Sequence, residues 1–122
     1  MSLVAAGTLV LTAALPAPLA QGTTYHVTKT ISLGGEGGWD YLTADSDAKR
    51  LYISRGAANM VQVVDLATDT FIGTIDSTAG VHGIVVAPEF NRGFTSNGRD
   101  STVTIFDLKT LKQVNKITVT GR

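Results

Sequence analysis

Residues 39 to 75 align with residues 81 to 117 without a gap, so the chain repeats itself at an offset of 42. Identical residues fall at Arg50/Arg92, Ser54/Ser96, Gly56/Gly98, Val61/Val103, Asp65/Asp107, Leu66/Leu108, Thr68/Thr110 and Ile75/Ile117. Eight identities in these 37 positions exceed the roughly two or three that average composition would give. Apolar positions also stay apolar, at Leu42/Ile84, Tyr52/Phe94, Val63/Ile105, Val64/Phe106 and Ile72/Val114. A period of this length means one supersecondary unit used twice, each copy burying its apolar surface against a neighbour.

Each unit reads as four short strands. In the first they cover residues 41–44, 50–54, 61–66 and 70–75, separated by turn-forming stretches rich in Asp, Ser, Gly, Ala, Asn and Thr. In the second they cover 83–87, 93–96, 103–108 and 113–119. No window carries a helical period. Val61 and Val63 share one face of the third strand while Val64 lies on the other, and Val103, Ile105 and Phe106 repeat that arrangement. A four-stranded sheet of 42 residues that is apolar on both faces has to be covered on both sides, which is the condition of a β-propeller blade between two neighbours. A free-standing sandwich would not demand so regular a period. The fold class expected is therefore all-β, a partial propeller with about two blades of four antiparallel strands, 34–75 and 76–122. Residues 23–33 are expected to be an N-terminal strand that closes a blade whose other strands come from elsewhere.

Specific residues strengthen this. Tyr52-Ile53-Ser54-Arg55 and Phe94-Thr95-Ser96-Asn97 resemble the Tyr-Val-Thr-Asn tetrapeptide of the YVTN β-propeller repeat family. The runs 61–68 and 103–110 resemble that family's apolar-Asp-x-x-Thr pattern, and the likeness, closest to the exported YncE-like branch, covers essentially residues 25–122. It implies a secreted or periplasmic seven-bladed propeller of which this chain is an N-terminal fragment. Arg55 departs from the tetrapeptide, where Asn is expected. Trp39-Asp40 is a WD dipeptide, but it opens the first strand rather than closing the third, so the likeness to WD repeats is architectural only.

All twenty formal charges, ten of each sign, lie after Gly22. Residues 1–22 are expected to be a secretory signal peptide, with a short apolar centre, the helix-breaking Pro16-Ala17-Pro18 and small residues up to Gly22. The basic residues that usually follow Met1 are missing. An apolar stretch of about 13 residues spans roughly 20 Å as a helix, short of the ~30 Å of a bilayer core, so no stable membrane span is expected. The balance of charge gives no support to nucleic-acid binding, although the resemblance allows it. The chain has no cysteine.

Most polar residues read as structural. Asp65 and Asp107 end the third strands and suit turns that they cap through backbone N–H groups. Asp45 and Asp47 supply too few oxygens for calcium. The Gly34-Gly35-Glu36-Gly37-Gly38 loop leads into a strand and carries an acid, unlike a phosphate loop. His26 has no recognisable partner. One group stands apart. The connections into first strands and those between second and third strands emerge on one rim, which gathers Glu36, Trp39, Asp40, Arg55, Asn59, His82, Asn97, Arg99 and Asp100. Asp40 and His82 are counterparts at the 42-residue offset and belong near the central channel. The candidate ligand-binding residues are Trp39, Asp40, Arg55, His82, Asn97 and Arg99.

No cofactor, metal or catalytic residue is expected in this chain. The function expected is that of a binding or interaction scaffold for an unidentified ligand or protein at the loop-bearing rim. The alternative is part of a propeller enzyme, a lactone hydrolase or a quinone- or metal-dependent oxidoreductase, with its catalytic residues mostly outside this chain. Two blades and a strand do not close a ring. Several hundred Å2 of apolar end face left in water costs on the order of 10 kcal/mol, so further blades or self-association are expected to cover it.

Overall fold

The computed structural model describes residues 25–120. The signal peptide expected over 1–22 lies outside the described residues. Eight strands follow in order: β1 (Leu42–Asp45), β2 (Arg50–Arg55), β3 (Met60–Asp65), β4 (Thr70–Ile75), β5 (Val81–Ala87), β6 (Arg92–Asn97), β7 (Thr102–Asp107) and β8 (Gln113–Thr118). They form two four-stranded antiparallel sheets, ordered β1-β2-β3-β4 and β5-β6-β7-β8, with every neighbour adjacent in sequence. This is the all-β blade arrangement of a propeller. The only helical residues among those described are two single 3₁₀ turns, Gly56–Ala58 and Pro88–Phe90.

The backbone repeats more faithfully than the side chains do. Left-handed residues occur at Lys49 and Asn91, Asn59 and Ser101, and Asp69 and Leu111, three pairs each 42 apart and none of them identical. The β3–β4 register shifts between Val63 and Val64, and the β7–β8 register shifts between Ile105 and Phe106, again at the same offset. Asp65 Oδ1 accepts the backbone N–H groups of Ala67 and Thr68 at 2.8 and 3.0 Å, and Asp107 Oδ1 accepts those of Lys109 and Thr110, both at 2.9 Å. The two aspartates thus cap the turns after the third strands, as their position in the sequence suggests.

The core lies between the blades. Tyr52, Val61, Val63 and Ile75 from the first sheet meet Val81, Phe106, Leu108 and Leu111 from the second, with Ile84 and Val86 packed against them. Thr43 Oγ1 donates to the Ile84 carbonyl at 2.8 Å, and the Arg50 guanidinium donates to the Leu108 carbonyl, so polar contacts also join the blades.

The outer faces differ. In β3, residues 61–64 are buried on both faces, whereas β7 alternates between buried and half-buried residues. The difference comes from the N-terminal segment, which lies across the outer face of the first blade. Lys29 Nζ pairs with Asp69 at 2.7 Å, Gln62 Nε2 donates to the Leu33 carbonyl at 3.3 Å, and Arg55 holds residues 34–38. Residues 25–33, expected as a closing strand, are assigned to neither sheet. Among the described residues none covers the second blade in this way. Val85 is 58% exposed there, beside a shallow apolar groove formed with Gly83, Ile84, Phe94, Ser96 and Val103.

Candidate functional site

An open cleft of about 600 Å3 lies on the rim between the blades, lined by Trp39, Asp40, His82 and Arg99 over a floor that includes Gly38, Gly56, Ala57 and Gly80. The two converging sets of loops build it. Trp39 and Asp40 come from the segment that leads into β1 and His82 from the start of β5, while Gly56, Ala57 and Arg99 come from the connections between second and third strands.

Ser54 and Ser96, identical in the repeat, fix the approach in both blades. Ser54 Oγ accepts the backbone N–H of Tyr41 at 2.7 Å, and Ser96 Oγ accepts that of Gly83 at 2.9 Å. Each serine therefore anchors the residue next to Asp40 or His82. With the backbone held on both sides of the boundary, the side chains meet: His82 Nδ1–H donates to Asp40 Oδ2 at 2.5 Å. An ionised carboxylate only accepts, so the proton of this bond belongs to Nδ1 and the Nε2 of a neutral ring is left as an acceptor. Gly98 leaves room for the ring, because a Cβ there would stand 3.0 Å from Nε2.

Arg99 is held by Asn59. Asn59 Oδ1 accepts both Arg99 Nη1–H at 2.8 Å and the backbone N–H of Gly80 at 3.0 Å, while the Asn59 carbonyl accepts Thr78 N–H. Gly80 adopts φ +62°, and a Cβ on it would lie 2.9 Å from that of Arg99. Gly80 was not among the residues that the sequence singled out, although residue 38, its counterpart at the 42-residue offset, is also glycine; its role comes from its closeness to Arg99.

Two of the candidate ligand-binding residues, and two more of the rim group, are placed elsewhere. Arg55 is only 8% exposed, and its guanidinium donates to the carbonyls of Gly34, Glu36, Gly37 and Gly38 and to Gln62 Oε1. Those five acceptors match the five N–H donors of an arginine, so Arg55 is committed to the N-terminal segment. Asn97, its counterpart 42 residues on, is 3% exposed, with Oδ1 taking the Thr95 hydroxyl and Nδ2 donating to Thr102 and Thr104. Both are correctly read as equivalent, but they tie the blades internally rather than facing the cleft. Glu36 lies beside Ala57 and Ala58 at a separate depression. Asp100 accepts the Thr102 hydroxyl and pairs with Lys116 at 3.3 Å; these contacts, the Thr102 bond foremost, hold its carboxyl below the ordinary range.

Among the described residues no three His, Cys, Asp or Glu side chains come together as metal ligands. No described helix is long and apolar enough to cross a membrane.

No family model matches the chain, and no curated protein does. Solved structures do resemble it. Hydrazine synthase of Kuenenia stuttgartiensis superposes with a TM-score of 0.65 at 20% identity over 77% of this chain and 27% of its own. The Cps50 (Swd1) β-propeller domain of Myceliophteria thermophila gives 0.63 at 15% identity, over 76% of this chain and 28% of its own. AztD from Citrobacter koseri gives 0.60 at 17% identity, over 70% and 25%. These similarities support the propeller fold, and the chain spans only about a quarter of the length of such structures.

Proposed function

We propose that this chain is part of an exported β-propeller of the YVTN, YncE-like type that acts as a binding scaffold, its ligand seated in the rim cleft between the two blades. The observation that carries the reading is the Asp40–His82 bond across the blade boundary, in one cleft with an exposed Trp39 and with Arg99. A flat apolar plate beside a few oriented polar groups is the usual composition of a ligand site. Export rests on the uncharged leader over residues 1–22, and the YVTN assignment rests on the two tetrapeptides and the capped Asp-x-x-Thr turns. The rest of the ring is expected to come from further blades.

The same bond favours a second reading. A carboxylate that fixes an imidazole and leaves its Nε2 as an acceptor is half of an acid–base arrangement, which an enzyme would complete with residues from other blades. Purified protein, analysed for metal and assayed with simple lactones and quinone-linked substrates, separates the two. The scaffold reading expects neither stoichiometric metal nor turnover. Turnover that His82→Ala abolishes, or one metal ion per chain, overturns it in favour of the enzyme.

A further inference from the structure

We infer that the cleft takes a neutral saccharide, stacked through a C–H face on Trp39 and held at its hydroxyl edge by Asp40, His82 and Arg99. This rests on the cleft being the ligand seat proposed above, and it specifies the ligand class by the chemistry of the lining.

Charge narrows the choice first. The cleft holds one carboxylate, Asp40, and one guanidinium, Arg99, so their formal charges cancel. An anionic ligand would meet Asp40 and a cationic one would meet Arg99. A wholly apolar ligand would take water from the carboxylate, the imidazole and the guanidinium without returning hydrogen bonds, which is costly for each group. The remaining class is neutral and polar.

Shape narrows it further. The Trp39 side chain is 68% exposed, a broad apolar surface still in water. The three glycines of the lining, Gly38, Gly56 and Gly80, let a ring come close to the backbone. A pyranose fits both features, because one side presents C–H bonds to an indole while its hydroxyls project around the edge. The partners for those hydroxyls are complementary. Asp40 accepts, His82 Nε2 accepts, and the N–H groups of Arg99 other than the one bound to Asn59 donate. A nucleotide would also stack, but its phosphates would be repelled by Asp40. The cleft is open to solvent, so an oligosaccharide can extend past the ring that is held.

Trp39 is the single tryptophan of the chain and lines this cleft and a depression on the outer face of the first blade. Its emission therefore reports on ligand there, and the Asp40 and His82 variants assign the change to the cleft. The full chain is titrated with cellobiose, maltotriose, N,N'-diacetylchitobiose and mannobiose, and in parallel with ATP, succinate and a short basic peptide. At least one neutral sugar is expected to give a saturable change in emission, with affinity at least about tenfold weaker in Asp40→Ala and in His82→Ala, a loss of roughly 1.4 kcal/mol. Thermal melts of both variants confirm that they remain folded. Sugars that leave the emission unchanged while ATP, succinate or the peptide alters it saturably overturn the saccharide inference and leave the binding cleft standing. Silence from every probe counts against both. Sugar binding that survives both substitutions unchanged overturns the assignment of these residues.

Discussion

Phe106 lies on Gly93, its partner across the strands, so closely that a Cβ on residue 93 would stand 2.1 Å from the ring. Phe106 reaches from there to Tyr52 in the other blade, with ring centroids 6.1 Å apart. The missing side chain of one residue thus sets how two blades approach. Gly93→Ala is expected to displace the ring and destabilise the fold by about 1–3 kcal/mol, the usual range for overpacking. Denaturant melts of wild type and variant check this, and a change below a few tenths of a kcal/mol contradicts it.

Arg55 joins the N-terminal segment to the first blade through all of its donors. Arg55→Ala should cost about 3 kcal/mol, in line with the loss of several hydrogen bonds from a buried charged group. Arg55→Lys should recover little, because an ammonium cannot reach acceptors spread around a planar fork. Limited proteolysis within residues 34–38 should quicken in both variants, and resistance retained there by the lysine variant would refute the account.

Lys49 adopts φ +54° on an exposed turn, where its counterpart is Asn91 at φ +52°. Asparagine tolerates this region better than lysine does. Copying the second blade with Lys49→Asn should therefore stabilise the protein by about 0.5–1 kcal/mol, read as a shift in the denaturation midpoint. A lower midpoint would show that the lysine side chain contributes something that its geometry does not reveal.

Asp65 and Asp107 have carboxyl pKa values below the ordinary 3.8, the first chiefly through the Thr68 N–H and the second chiefly through the Thr110 N–H. The sign follows from linkage: a pKa lower in the folded than in the unfolded state gives stability that is present above about pH 4 and is lost as pH falls through the folded value. Melts taken below pH 4 should show this loss. Asp65→Asn together with Asp107→Asn should flatten that acid limb, and an unchanged limb would assign it to other carboxylates.

The bare face of the second blade repeats a face that is buried in the first. Phe94, Ser96, Val103 and Ile105 are the counterparts, 42 residues on, of Tyr52, Ser54, Val61 and Val63, which pack against the neighbouring blade. The purified chain is expected to sediment as more than a monomer, and Val103→Asp should shift it toward the monomer by placing a charge on that face. A stable wild-type monomer that unfolds cooperatively would show the expectation wrong.

Much of this was legible because strand patterning and period are local signals. The eight strands fall within about two residues of where alternation and turn residues put them, and Asp65 and Asp107 do what their spacing suggests. The meeting of Asp40 with His82 was legible in outline, since the offset made them counterparts at one rim. Arg55 was not. Its burial depends on where a segment 17 to 21 residues earlier comes to rest, and no local pattern encodes that. Lys49 and Leu111 are similar cases, because their left-handed turns are imposed by the blade and not by residue type. Asn59 was legible as a rim residue, but its task of holding Arg99 and Gly80 of the other blade was not, because that depends on how the two blades meet.

The register shifts at Val63/Val64 and Ile105/Phe106 bear on how such a chain meets its surroundings. Each irregularity sits beside an outermost strand and distorts the ladder that a foreign strand would have to extend. Lateral growth into fibrils is thereby discouraged, while the broad surface of the second sheet stays open to contact. Cohesion in this molecule is directional: it adds material along the axis on which sheets stack and resists it along the axis on which strands pair.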